Sequence, residues 1–206
     1  MKLVVVSAGL SVPSSTRLLG ERLSAAVARE VTGVEVEFVE LRELAVEIAH
    51  QFVSGFPGAG LRSAFDAVAQ ADGLIVVTPV FSASYSGLFK SFFDLLEKDS
   101  LAGKPVLIAA TGGTARHSLV LDHALRPLFS YLRAVVVPTG VYAASEDWGA
   151  EGLPERVERA AGELGGLMRG LSGARAPEVR DEFEISVPFE QRLAALGGGA
   201  DGGTTG

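Results

Sequence analysis

Short apolar runs alternate with segments of helical periodicity along most of the chain. Five runs rich in aliphatic residues predict β-strands at residues 3–7, 35–39, 74–78, 106–110 and 135–141. Apolar residues spaced three to four apart predict helices at residues 15–29, 61–71, 87–98, 118–132 and 154–171. This alternation of strands and helices is typical of an α/β protein with a parallel sheet and helices on both faces.

The strands differ in how they are covered. The first, third and fourth are almost wholly aliphatic, which indicates burial on both faces. Residues 35–40 alternate charged and apolar side chains, which favours an edge strand. Five strands joined by right-handed crossovers predict the flavodoxin-like doubly wound order 2-1-3-4-5. In that order ligands bind between strands 1 and 3, at the carboxyl edge of the sheet.

A polar loop follows the first of these two strands. Ser7 ends the strand, and Ser14, Ser15, Thr16 and Arg17 stand where the next helix begins. Short hydroxyls, backbone N–H groups and the helix dipole favour an anion there, and a guanidinium forks onto phosphate oxygens. The alternative is a helix N-cap beside a solvated arginine.

A second loop follows the third strand. Pro79 stiffens it, Val80 and Ser82 offer backbone donors, and Phe81 and Tyr85 offer apolar walls to a flat heterocycle. An ordinary turn with core aromatics is the alternative. The two loops together predict a phosphate-bearing aromatic cofactor.

A third short loop follows the fourth strand. It reads Thr111, Gly112 and Gly113, and adjacent glycines allow the main chain to approach a ligand closely. A simple turn explains a Gly-Gly pair equally well. Its position at the same sheet edge makes it a candidate for the cofactor site.

Composition excludes several classes of function. The net charge of −7 disfavours binding to nucleic acid or anionic membranes, and the absence of cysteine removes disulfides, thiolate catalysis and cysteine-ligated metals. No signal peptide or membrane span is visible, so a cytoplasmic protein is expected. His50, His117 and His123 lack metal-ligand spacing. No Gly-x-Gly-x-x-Gly follows the first strand, and the chain contains no P-loop motif. We therefore expect no metal and no catalytic side chain, with a cofactor carrying the redox chemistry.

The two main loops resemble those of the NADPH-dependent FMN reductase family. Ser14-Ser15-Thr16-Arg17 is similar to its Ser-x-x-Arg element. Residues 78–94 are similar to its Thr-Pro-x-Tyr/Phe…Ser-Gly-x-x-Lys-x-x-x-Asp element. Residues 101–106, 110–113 and 121–127 resemble the branch that serves two-component alkanesulfonate and related monooxygenases. The resemblance covers about residues 2 to 145.

The resemblance implies an FMN-binding reductase domain over residues 1–174 that transfers a hydride from NAD(P)H to FMN. Reduced FMN would pass to a partner flavin-dependent monooxygenase, and the protein would form a homodimer or homotetramer. Ser7 and residues 14–17 match contacts to the phosphate and ribityl chain, residues 79–82 with Tyr85 match the isoalloxazine loop, and residues 111–113 match the ring's far edge. The helix carrying His123 matches one at a subunit interface near the flavin.

Two departures and two alternatives stay open. The first loop is longer than the common form and lacks its early arginine, and residues from 175 onward do not match the alkanesulfonate branch. We expect a C-terminal arm at residues 175–196 and a disordered tail at 197–206. The alternatives are an FMN-containing quinone, azo or metal reductase and a flavodoxin-type electron carrier, which the cation at Arg17 disfavours. The sequence does not choose between NADH and NADPH.

The connection at residues 50–60 is rich in glycine and proline and is predicted to be a loop. Its two aromatic residues, Phe52 and Phe56, are expected either to line a site or subunit contact or to pack onto the core.

Overall fold

The structure, a computed structural model, describes residues 1–171. The predicted arm at 175–196 and tail at 197–206 lie outside the described residues. The strands are β1 (Lys2–Ser7), β2 (Glu35–Glu40), β3 (Gly73–Phe81), β4 (Ser84–Tyr85), β5 (Pro105–Gly112), β6 (Val135–Val136) and β7 (Val141–Ala144). The helices are α1 (Ser15–Glu30), α2 (Leu41–Ser54), α3 (Ala59–Gln70), α4 (Gly87–Asp94), α5 (Arg126–Tyr131) and α6 (Gly152–Leu171).

The sheet has the predicted doubly wound arrangement. Its order is β2-β1-β3-β5, and the next position is shared by β6 and β7, which both pair in parallel with β5. The two-residue β4 pairs antiparallel with the end of β3 as the return of a hairpin. If β4 is left out, and β6 and β7 are counted as one strand, the main strands numbered along the chain have the order 2-1-3-4-5. The flavodoxin-like fold is therefore confirmed.

Alternating side chains of the central strands bury two separate cores. Leu3 and Val5 pack on the face covered by α1 and α6, whereas Val4 and Val6 pack on the face that includes residues of α2, α3 and α4. All four are fully buried. A strand covered on both faces must be apolar throughout, as the sequence of β1 is.

The prediction of a loop at residues 50–60 is wrong at both ends, because α2 continues to Ser54 and α3 begins at Ala59. Helix α2 follows β2 without a connection and ends at Ser54, and Gly55 then adopts a left-handed conformation at φ 78°. Apolar residues recur at Leu41, Leu44 and Ile48, the spacing of one helix face. The side chains of Phe52 and Phe56 are 55% and 75% exposed, so neither packs into the core.

The last predicted helix–strand pair is also interrupted. Residues 118–132 form a π-helical turn at Leu121–Leu125 before α5, because Pro127 lacks the N–H that a continuous helix would use. The predicted strand at 135–141 divides into β6 and β7. Arg126 donates to the carbonyls of Val137 and Pro138, and Glu163 accepts from Thr139, so the break is held by side chains.

No helix among the described residues is long and apolar enough to span a membrane.

Lys104 makes stability depend on pH. Its Nζ donates to the carbonyl oxygens of Ala69 and Ala71, at 3.0 and 2.6 Å, at the end of α3. Burial lowers the pKa of Lys104 below 10.5, with Asp72 acting in the opposite direction. The unfolded chain therefore binds this proton more tightly than the folded protein does. Stability should rise as pH increases from the lowered pKa towards 10.5.

Urea unfolding of the wild type and Lys104→Met over this alkaline range measures the effect. The stability difference between the two proteins should grow with pH in favour of the wild type. A difference that does not change with pH would contradict the assignment.

Candidate active site

Buried hydroxyl groups concentrate at the carboxyl edge of the sheet. Six polar side chains among the described residues are buried, and five of them lie where β1, β3 and β5 end or the following helices begin. These five are Ser7, Thr16, Thr78, Ser86 and Thr111. Buried hydroxyls normally have hydrogen-bond partners, so each one here either builds the site or awaits a ligand.

The loop after β1 is organised around the start of α1. The Oγ of Ser14 accepts the N–H of Arg17 at 3.2 Å and caps the helix, and Ser15 is exposed. Gly9 lies so close to Ser14 that an added Cβ would overlap the Ser14 hydroxyl. A compact loop therefore leaves backbone N–H groups of the first helical turn at the sheet edge, the usual donors for an anion.

Two of the three predicted loops are joined by a direct hydrogen bond. Thr16 Oγ1 and Thr111 Oγ1 lie 2.9 Å apart and are buried, which links the start of α1 to the end of β5. The loop after β3 lies at the same edge, because Pro79 is the register partner of Thr111 on the neighbouring strand. The structure thus brings all three candidate loops to one edge of the sheet.

Ser7 lies at the centre of this edge. Its side chain is fully buried, and its Oγ has no hydrogen-bond partner among the described residues. An unsatisfied buried hydroxyl costs about 1–3 kcal/mol. A cofactor group that pairs with this hydroxyl would remove the cost, so Ser7 is the observation that most directly favours a ligand here.

The guanidinium of Arg17 is paired with two carboxylates, one on α1 and one at the end of β2. Its Nε lies 2.8 Å from Glu21 Oε1 and its Nη1 lies 2.6 Å from Glu40 Oε1. The guanidinium carbon lies 4.0 Å from the ring centroid of Phe38. Burial acts to lower the pKa of Arg17, but the hydrogen bonds and charges of Glu40 and Glu21 outweigh it and raise that pKa. Much of the positive charge near the phosphate loop is therefore already balanced.

The predicted loop after β3 is a hairpin. β3 continues through Phe81, and Ser82 and Ala83 form the tip with φ of 48° and 66°. Non-glycine residues rarely adopt positive φ, and such strain concentrates at ligand sites. The Phe81 side chain at this tip is 47% exposed. Tyr85 on the return strand packs towards Phe89 at a centroid distance of 5.9 Å.

Two buried hydroxyls hold the base of the hairpin. Thr78 Oγ1 accepts the N–H of Ser86 at 3.0 Å and donates to the carbonyl of Pro79 at 3.0 Å. Ser86 Oγ accepts the N–H of Phe89 at 3.2 Å and caps α4. Both belong to the motif that resembles the reductase family, and the sequence analysis assigns neither of them to the flavin. Their hydrogen bonds give them a positioning role.

Tyr142 is a site-edge residue that the sequence analysis missed. Its hydroxyl donates to the carbonyl of Thr114 at 2.8 Å, and a Cβ added to Gly112 would overlap its oxygen. Burial and the charge of Asp147 raise the pKa of Tyr142. Tyr142 lies in β7 and belongs to no motif in the sequence. Only the pairing of β7 with β5 brings it to this loop.

Comparison with known proteins identifies the family. The model of the NADPH-dependent FMN reductase family matches residues 1–149. The chain belongs to this family. It is similar to an FMN reductase (NADPH) of Pseudomonas aeruginosa, at 39% identity over 176 residues that cover 83% of this chain and 94% of the relative. It is also 40% identical over 164 residues to the NADH-dependent FMN reductase SfnF of Pseudomonas putida, with 77% and 88% covered.

A solved structure of an oxidoreductase from Corynebacterium diphtheriae is similar over the same region. Its TM-score is 0.80 at 50% identity, covering 82% of this chain and 97% of that chain. The family members are flavin reductases, so the protein is an oxidoreductase that uses FMN and NAD(P)H. These matches confirm the predicted family, enzyme class and cofactors.

Proposed function

We propose that FMN binds across the three loops and, once reduced, leaves for a partner flavin-dependent monooxygenase. Reduction of FMN by NAD(P)H is the activity of the family. Among the described residues the Ser7 hydroxyl has no hydrogen-bond partner, and this supports the proposed position of the flavin at the sheet edge. A homodimer or homotetramer and a cytoplasmic location stay predictions.

The phosphate is assigned to the start of α1. Hydroxyls of Ser14, Ser15 and Thr16 and the backbone N–H groups of the first turn are the neutral donors, and Arg17 is the cation at its edge. Ser7 is assigned to the phosphate or ribityl chain. Donors fixed by an N-cap and a buried Thr–Thr hydrogen bond need little rearrangement on binding, which favours affinity.

The ring is assigned to the other two loops. Pro79, Val80, Phe81, Ser82 and Tyr85 supply backbone donors and apolar walls on one side, and residues 111–113 supply the opposite edge. Bound FMN would accept the hydride itself, so the chain has to position the ring and exclude water rather than supply an acid or base. The short Gly112–Gly113 main chain suits such a close approach.

The electrostatics favour an exchangeable flavin. The chain carries a net charge of −7, and the guanidinium of Arg17 is already paired with Glu21 and Glu40. A dianionic phosphate must then share Arg17 with two carboxylates and take its other hydrogen bonds from neutral donors, so it is bound less tightly than it would be by unpaired cations. Weak binding is what a protein that releases reduced FMN requires.

The test begins with the colour of the purified protein. We expect colourless protein after gel filtration, NAD(P)H oxidation that depends on added FMN, and transfer of reduced flavin to an added flavin-dependent monooxygenase. Protein that stays yellow and reduces a quinone faster than added FMN would contradict the release role and favour a quinone reductase.

The Ser7→Ala variant distinguishes a role of this hydroxyl in FMN binding from a role in stability. Removing the unpartnered hydroxyl should leave stability unchanged or raise it, whereas FMN affinity should fall by about 0.5–1.5 kcal/mol, the value of one hydrogen bond. Thermal unfolding and flavin fluorescence quenching measure the two quantities.

Ser24→Ala is the matched control. Its hydroxyl donates to the Glu21 carbonyl at 3.1 Å within the same helix. This variant should lose stability and keep its FMN affinity. If Ser7→Ala also loses stability and binds FMN normally, the hydroxyl has no ligand role.

A further inference from the structure

A cavity of about 770 Å³ adjoins the phosphate loop. It shares residues of that loop, but the β3–β4 hairpin and residues 111–113 do not line it. Its volume lies within the usual range for small-molecule sites. Its walls include Ser11, Ser14, Arg17, Glu40, Glu43 and Trp148. The ring loops of the flavin site therefore leave this space unused.

Its walls combine apolar surface with a polar rim. Val12 and Leu18 line the cavity with side chains that are 75% and 41% exposed, and Trp148 adds an indole. The guanidinium of Arg22 lies 5.0 Å from the centroid of that indole ring. Exposed apolar side chains around a recess mark a binding surface, and tryptophan is a strong stacking partner for a nucleobase. A planar base with a polar edge suits this lining.

The charges of the lining limit what else can enter. Three carboxylates, those of Glu21, Glu40 and Glu43, face two guanidiniums, those of Arg17 and Arg42. The two carboxylates that are hydrogen-bonded to Arg17, those of Glu21 and Glu40, belong to this set. Carboxylates at the end of the second strand accept hydrogen bonds from ribose hydroxyls in dinucleotide sites and repel an added phosphate. The cavity thus suits an adenosine with a free ribose diol.

We propose that this cavity is an adenylate subsite, which receives the adenosine half of a dinucleotide and discriminates against a 2′-phosphate. The proposal rests on the proposed position of the FMN phosphate. FAD is FMN extended from its phosphate by an adenylate, so its second half would enter a space contiguous with the phosphate loop. The adenosine of NADH is the other source of the same chemistry.

The test uses the single tryptophan of the chain as its reporter. The sequence contains one tryptophan, and it is Trp148 in the cavity wall. Titration with 5′-AMP should give a saturable change in tryptophan fluorescence. Adenosine 2′,5′-bisphosphate should bind about 1.4- to 5-fold more weakly, the range for one unfavourable exposed charge pair.

Two variants check the wall and the charge. Glu43→Lys should abolish or reverse the preference for AMP over the bisphosphate. The exposed Glu155, in the first turn of α6 and outside the cavity lining, provides the matched control Glu155→Lys, which should keep that preference. Trp148→Leu removes the stacking surface, so it should weaken binding of whichever dinucleotide supplies the adenylate by about 5-fold or more and leave FMN binding unchanged.

The two sources give different competition patterns. If FAD supplies the adenylate, Trp148→Leu lowers the FAD-to-FMN affinity ratio and leaves the KM for NADH unchanged. If NADH supplies it, the KM for NADH rises and that ratio stays constant. An AMP titration without a saturable signal, in protein that binds FMN, would overturn the subsite alone. If the wild-type protein does not bind FMN at all, that result would instead overturn the proposed function.

Discussion

Arg17→Ala is expected to weaken FMN binding by about 1.5–3 kcal/mol, the range for a hydrogen bond to a charged group. Two nitrogens of the guanidinium bond Glu21 and Glu40, but the group has five N–H donors and can share them with a phosphate. Riboflavin lacks the phosphate, so its affinity should not change. Fluorescence titration with both flavins measures the difference.

Two further variants test whether the carboxylates paired with Arg17 compete with the FMN phosphate. Glu40→Gln should strengthen FMN binding, because it removes a carboxylate that competes for Arg17. Arg29 lies at the far end of the same helix and is paired with Glu158. Arg29→Ala should therefore change the affinity for neither FMN nor riboflavin. Equal loss of FMN and riboflavin binding in Arg17→Ala would mean that Arg17 supports the fold rather than the phosphate.

Gly112→Ala is expected to destabilise the protein by about 1–3 kcal/mol, the usual cost of overpacking, and to lower FMN affinity with it. The new Cβ would overlap the Tyr142 hydroxyl, which is anchored on Thr114. Either the loop after β5 or the Tyr142 side chain must then shift, which disturbs the proposed flavin edge. Urea unfolding and FMN titration measure the two effects.

Removal of the overlapping atom tests the cause. Tyr142→Phe alone should cost about 0.5–1.5 kcal/mol through the lost hydrogen bond to Thr114. In that background Gly112→Ala should cost much less, because the nearest remaining atom, Cζ, lies 3.2 Å from the added Cβ. Gly113→Ala has open space around it and should leave stability within about 0.5 kcal/mol of the wild type. Additive costs for Gly112→Ala and Tyr142→Phe would contradict this packing account.

The sheet and the meeting of the three candidate loops at one edge could be predicted because both depend on local patterns. Buried strands such as β1 are aliphatic at every position, and the order of the strands fixes which loops meet. Polar residues directly behind β1, β3 and β5 therefore had to share one edge. The contact between Thr16 and Thr111 follows from that topology.

The remaining features depend on tertiary contacts that no local pattern encodes. The break between β6 and β7 depends on Arg126 and Glu163, which are distant in sequence from the segment they hold. The pairing of Arg17 with Glu40 needs β2 beside α1, and Tyr142 reaches Gly112 only through the sheet. Helix α2 is different, because its apolar spacing was present and the glycines after it concealed the signal.

A crystal structure of the full chain with FMN is the most direct test of where the flavin binds. The account predicts the phosphate at the start of α1, within hydrogen-bond reach of Ser14 to Arg17, with the ring between the β3–β4 hairpin and the loop after β5. A flavin bound at any other surface, with the Ser7 hydroxyl still unpartnered, would contradict it.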